Sequence, residues 1–146
     1  MKRRAFLAVA AGAVAFRAVR AEPLVRVYRS RSCGCCAKCA DHLRANGFTV
    51  EVIDVPEPGQ YRRKLGIPDA LGSCHTAEVD GYAIEGHVPA RELQRLLKER
   101  PSAVGLAVPG MPLGSPGMES GRRRHPYVVL LVDQHGGYTA YAAYVK

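Results

Sequence analysis

Leu24-Val25-Arg26-Val27-Tyr28, then Cys33-Gly34-Cys35-Cys36-Ala37-Lys38-Cys39, then Phe48-Thr49-Val50-Glu51-Val52-Ile53-Asp54 set the architecture of this chain. The first segment alternates and is rich in valine, as a strand should be. From Cys36 to Asn46 the apolar period becomes helical, with Cys36, Cys39, Ala40 and Leu43 on one face and Asn46-Gly47 as a stop. The third segment alternates again. A strand, a helix and a second strand this close imply a parallel pair with a crossover. The thiols lie at the first strand-to-helix turn, where helix N-terminal N–H groups favour negative charge and make thiolates available.

Pro56 and Pro58 open a loop, Tyr61 to Leu65 suits a short helix, and Gly66 with Pro68 ends it. Thr76 to Ile84 reads as strand material broken at Asp80-Gly81. A helix starts at Pro89-Ala90-Arg91-Glu92, buries Leu93, Leu96 and Leu97, and stops before Pro101. Gly105 to Pro126 carries too many prolines and glycines for regular structure, and a loop that long in a small domain is usually functional or disordered. Tyr127 to Val132, the turn Asp133 to Gly137, and Tyr138 to Val145 predict a C-terminal hairpin. The expected fold is α/β: a single thioredoxin-like domain with a mixed sheet, a βαβ start and a C-terminal β-hairpin.

Residues 1–21 predict a signal peptide: Lys2, Arg3 and Arg4 lead an apolar stretch too short for a permanent membrane anchor, and Ala18-Val19-Arg20-Ala21 offers a cleavage site. Arg3-Arg4-Ala5-Phe6-Leu7 resembles a twin-arginine signal, so export runs by that route or the general one. The expected location is periplasmic, with residues 22–146 forming the domain. Removing the leader takes away five basic residues and no acidic one, lowering the formal charge from +8 to +3. Nucleic-acid binding thereby loses its main warrant, and Arg62-Arg63-Lys64 and Arg122-Arg123-Arg124 read as solvated faces or loops.

Four of the five cysteines fall within seven residues, and the fifth, Cys74, precedes His75. A purely structural disulfide scaffold fits poorly, because stabilising bridges usually close long loops and Cys35 and Cys36 are neighbours. The remaining choices are a soft metal or thiol–disulfide exchange. Zinc sites favour two well-separated cysteine pairs, whereas these pairs overlap. Thiolates this close are expected to bridge ions, as in Cu(I)–sulfur clusters, and iron–sulfur ligation suits an envelope protein less well. Met111 and Met118, both in the Gly/Pro-rich loop, are either thioether ligands or flexible core caps. His87 could face the cluster or simply hydrogen-bond in its loop. His42, His125 and His135 are expected to be exposed. Cys39 is either a fifth sulfur ligand or part of the helix's apolar face.

Taken in order, Cys33-Gly34-Cys35-Cys36, Ser73-Cys74-His75-Thr76-Ala77, Asp80-Gly81-Tyr82, Glu85-Gly86-His87-Val88-Pro89, Gly105-Leu106-Ala107-Val108-Pro109-Gly110-Met111-Pro112 and Gly114-Ser115-Pro116-Gly117-Met118-Glu119 resemble the CopG-type copper-resistance proteins. The resemblance runs from about Val25 to Tyr144. It implies a thioredoxin-like fold and several copper ions bridged by cysteine sulfur in the cell envelope, and the crowded thiolates make Cu(I) the expected state. By position it implies Cys33, Cys35, Cys36 and Cys74 as sulfur ligands, with His75, His87, Met111 and Met118 as neighbours or additional ligands. Cys39 departs from the pattern, since many relatives carry tryptophan there. The expected function is an exported copper-binding protein that sequesters copper or handles its redox state. Its expected partners are copper ions and other envelope copper-handling proteins. The alternative is a thiol–disulfide oxidoreductase using Cys33 and Cys36, which leaves Cys35 and Cys74-His75 without a role.

Overall fold

The computed structural model describes residues 22–145; the expected leader, residues 1–21, lies outside them. In chain order the elements are β1 (Leu24–Arg29), α1 (Gly34–Ala45), β2 (Thr49–Asp54), α2 (Pro58–Lys64), a 3-10 turn (Asp69–Leu71), β3 (His75–Val79), β4 (Tyr82–Glu85), α3 (Ala90–Glu99), β5 (Gly105–Ala107), β6 (Tyr127–Val132) and β7 (Tyr138–Tyr144). They form a mixed α/β domain around one seven-stranded sheet of order β2-β1-β3-β4-β5-β6-β7. The pairs β1/β2 and β4/β5 are parallel, bridged by α1 and α3, and every other neighbouring pair is antiparallel. The βαβ start and the terminal hairpin follow the periodicity of the sequence.

The pleat sends alternate residues to opposite sides. Val25, Val27, Ala77, Val79, Ile84, Leu106 and Val129 face the larger core, closed by Leu43 of α1 and Leu93 and Leu96 of α3. Ala83, Ala107 and Val132 point the other way, onto Ile67 and Leu71 from the segment around the 3-10 turn. Leu93 and Leu96 are fully buried, and each contributes about 1.5–3 kcal/mol by leaving water. These two leucines anchor α3, whose outer face is charged.

The expectation of no regular structure from Gly105 onward is corrected at its start. Gly105–Ala107 is a three-residue strand, flanked on one side by β4 and on the other by β6. Its conformation comes from neighbours that supply ladder partners on both edges, a non-local effect that outweighs its own weak propensity.

His42 also departs from expectation. It is half-buried, and its Nε2 accepts the Ala90 N–H at 3.1 Å. The residue capping α3 is Pro89, which has no side-chain acceptor to offer. An imidazole from α1 therefore satisfies one of the helix's free N–H groups, tying the two helices on this face of the sheet together.

Candidate metal centre

The turn between β1 and α1 is held from outside. The Arg29 guanidinium, at the end of β1, donates to the Cys33 carbonyl at 3.1 Å and to Asp54 of β2 at 3.1 Å. Cys33 caps α1 without a side-chain hydrogen bond, and the first turn carries no acidic residue. The helix's N-terminal N–H groups thus open onto the thiols with no acid in that turn to compete for them.

Cys33 and Cys36 are joined by a disulfide, and Cys35 and Cys74 are free thiols. The Cys35 sulfur lies 3.5 Å from that of Cys33 and 3.8 Å from that of Cys74, and the Cys36 sulfur lies 3.5 Å from Cys74. Cys74 arrives from far along the chain because β3 pairs with β1, with Arg29 opposite His75. All four sulfurs fall within 4.8 Å of one another. Cys74 belongs equally to a second group with His75 and His87, again within 4.8 Å. It is the shared corner of an all-sulfur set and a sulfur–nitrogen set.

The two imidazoles are placed by the sheet and by the long loop. Both are buried, and their rings meet edge to face with centroids 5.0 Å apart. His87 Nδ1 lies 2.7 Å from the Pro116 carbonyl oxygen, and its Nε2 lies 3.0 Å from the Cys74 sulfur. A carbonyl only accepts, so Nδ1 carries the proton and Nε2 presents its lone pair to Cys74. His75 Nδ1 lies 3.4 Å from the same sulfur. Burial, then the neighbouring His87 and Arg29, push His75 down to about 3. Burial likewise lowers His87, opposed by the Pro116 carbonyl and Glu119. Both rings are neutral nitrogen donors near neutral pH.

Cys74, which comes from the other side of the centre, is a thiol kept protonated by its surroundings. Burial first, then the Cys35 thiol, push Cys74 up to about 12. Loss of solvation outweighs the Ser73 hydroxyl's hydrogen bond, which favours the thiolate. A cation is then the natural means of drawing off its proton, because it supplies locally the charge that water no longer does.

The loop presses onto this centre through Gly117. A side chain there would bring its Cβ to 2.6 Å from the Cys35 carbonyl oxygen and 2.7 Å from the Cys39 nitrogen, and its φ is +84°. Only glycine allows the Gly114–Met118 turn so near α1, and that approach carries the Pro116 carbonyl to His87.

Cys33, Cys35, Cys36, Cys74, His75 and His87 are therefore brought together. Cys39 is buried but belongs to neither ligand group, and burial pushes its thiol up to about 12. It sits one helical turn beyond Cys36, beneath Gly117, and forms part of the wall. Met118 is half-buried and takes part in the turn through its backbone, whereas Met111 is 52% exposed. His125 and His135 are exposed, as expected. Sequence reasoning missed Arg29, Pro116 and Gly117. Arg29 acts on the Cys33 backbone carbonyl and Pro116 through its own, contacts that leave no residue-type pattern; the glycines spaced through the loop were a usable sign of close approach.

Among known proteins, the family described as "Protein of unknown function, DUF411" matches residues 71–118. No curated protein matches. Two solved structures do. "Copper resistance protein copG- Form 2" is 43% identical with a TM-score of 0.81, covering 85% of this chain and 99% of its own. "Copper resistance protein copG- Form 1" is 44% identical with a TM-score of 0.79, covering 84% of this chain and 98% of its own. Identity at this level along nearly the whole of both structures leaves no room for a chance likeness of fold, and the chain belongs to the CopG family of copper resistance proteins.

Proposed function

We propose that this chain is an exported, periplasmic copper-binding protein of copper resistance that holds Cu(I) in a cysteine-bridged multinuclear cluster. The observation that carries the reading is the convergence of four sulfurs, Cys33, Cys35, Cys36 and Cys74, within 4.8 Å, with Cys74 shared by two buried neutral imidazoles. Sulfur donors suit Cu(I), and three of the four come from one turn, a crowding that favours sulfurs shared between ions. The names of the two related structures point to the same role. We further read β1–α1–β2 with β3, β4 and α3 as a thioredoxin-type core, residues 1–21 as a cleaved leader, and residues 22–146 as the domain. Met111 and Met118 are neighbours or additional thioether donors in this reading, and other envelope copper-handling proteins are the partners.

Loading requires the reduced protein. The Cys33–Cys36 disulfide takes up two electrons from a thiol reductant to yield two thiolates, and the ions then replace the protons of Cys35 and Cys74. Thiol exchange alone would use only the Cys33–Cys36 pair. It leaves Cys35, Cys74 and two buried histidines without a task, which is why the metal reading is preferred.

The test is anaerobic titration of the reduced protein with Cu(I) against a competing chelator, with elemental analysis and thiol counting. More than one copper per chain should be retained, and Cys35→Ser and Cys74→Ser should each lose most of it. Less than one copper in the wild type would sink the proposal. Metal-free disulfide reductase turnover that survives Cys35→Ser would replace it with the oxidoreductase.

A further inference from the structure

Glu85, the last residue of β4, is fully buried, with a relative exposure of 0%. A carboxylate in that position is costly unless its oxygens are satisfied. Here they are: Oε1 accepts the Ser73 N–H at 2.6 Å, Oε2 accepts the Thr76 hydroxyl at 2.6 Å, and the Arg62 guanidinium lies 3.4 Å from Oε1. The two close donors bracket Cys74-His75. Thr76 is paired with Glu85 in the β3/β4 ladder, whereas Ser73 and Cys74 lie before β3 begins. The carboxylate thus reaches past the end of the ladder and supplies an acceptor for backbone that has no strand partner there. Close packing of Gly86 against Ser73 and Val108 leaves this stretch little room to shift.

We propose that Glu85 is a positioning residue for the metal centre: by binding Ser73 and Thr76 on either side of Cys74-His75, it holds the Cys74 sulfur between the Cys33–Cys36 turn and His87. This rests on the copper reading above. Residues that orient metal ligands from behind typically change affinity by about 10–100-fold when removed.

The test compares Cu(I) affinity, by chelator competition on the reduced full-length protein, for the wild type, Glu85→Ala, Glu85→Gln and Val129→Ala, the last a buried core change on β6. Glu85→Ala should lose about 10–100-fold in affinity and alter the thiolate-to-copper charge-transfer band. Glu85→Gln, which keeps one acceptor oxygen, should lose less. Val129→Ala should bind as the wild type does, even where its melting temperature has fallen as far. A second readout needs no copper: alkylation of Cys74 in the metal-free reduced protein, resolved by peptide mass spectrometry, should accelerate several-fold in Glu85→Ala and not in Val129→Ala. Absence of copper binding by the wild type would count against the copper reading, leaving alkylation to decide the role of Glu85. Unchanged alkylation, or affinity within about twofold of wild type in Glu85→Ala, would overturn the inference. Should Glu85→Ala fail to fold, Glu85→Gln decides on the same criteria.

Discussion

Gly117→Ala probes how the long loop controls the metal centre. The new Cβ would stand 2.6 Å from the Cys35 carbonyl oxygen, 2.7 Å from the Cys39 nitrogen and 3.2 Å from the Cys39 Cα. Non-bonded atoms of these kinds prefer roughly 3.5 Å or more, so the turn has to retreat from α1 by up to about 1 Å. The barrier to adaptation is backbone on both sides, with no flexible side chain to yield. At φ +84° an L-residue adds about 1–2 kcal/mol of its own. A retreat of that size stretches the 2.7 Å contact between Pro116 and His87 Nδ1 beyond hydrogen-bonding range. An unpaired buried imidazole N–H then costs about 1–3 kcal/mol. The sum is a destabilisation of about 2–5 kcal/mol, together with an imidazole whose Nε2 is no longer aimed at Cys74. Copper affinity should fall about 10–100-fold. Chemical denaturation of the reduced metal-free protein and chelator competition for Cu(I) measure the two effects. A Gly117→Ala protein with wild-type affinity and a stability loss under about 0.5 kcal/mol would refute the claim that this close approach holds His87 in place.

Cys39→Ala should bind the same amount of copper as the wild type, because Cys39 lies outside both ligand groups; it should cost about 1 kcal/mol in denaturation for the buried sulfur removed. A lost copper equivalent in elemental analysis would make Cys39 a ligand after all. Acidification should destabilise the reduced, metal-free protein. Burial depresses His42, against a smaller opposing effect of Glu119, and depresses His75 and His87 as well. A histidine whose folded pKa is lowered stabilises the fold fully above its ordinary value near 6.5, and that stability is lost as pH falls from there toward the depressed value. The melting temperature should therefore drop between pH 7.5 and pH 5, and His42→Ala should make the drop shallower. A flat profile, or a rise on acidification, would contradict this.

The order of elements was largely legible because it rests on local signals. Alternation in Val25 to Tyr28 and Thr49 to Asp54, helical spacing in Cys36 to Leu43, and turn residues at Asp80-Gly81 and Asp133 to Gly137 each act within a few residues. β5 was not legible, since its strand geometry comes from partners on both edges. His42 was misread for a related reason: its acceptor role depends on where α3 begins in space, which the spacing of α1 does not encode.

Within the candidate metal centre the same division holds. The crowding of Cys33, Cys35 and Cys36, the adjacency of Cys74 and His75, and the glycine-rich loop are properties of the chain, and they narrow its chemistry to a soft metal or thiol exchange. The assembly of the centre was decided only by folding. The β1/β3 pairing carries Cys74 to Cys35 and Cys36 across a long sequence separation, and the Pro116 carbonyl selects the His87 tautomer. Three residues of helical rise, about 4.5 Å, set Cys39 back from Cys36 along the same face, which leaves its thiol in the wall. Residue type and spacing determine which donors a chain offers. Sheet order, close approach and burial determine which of them meet, in what protonation state, and around what.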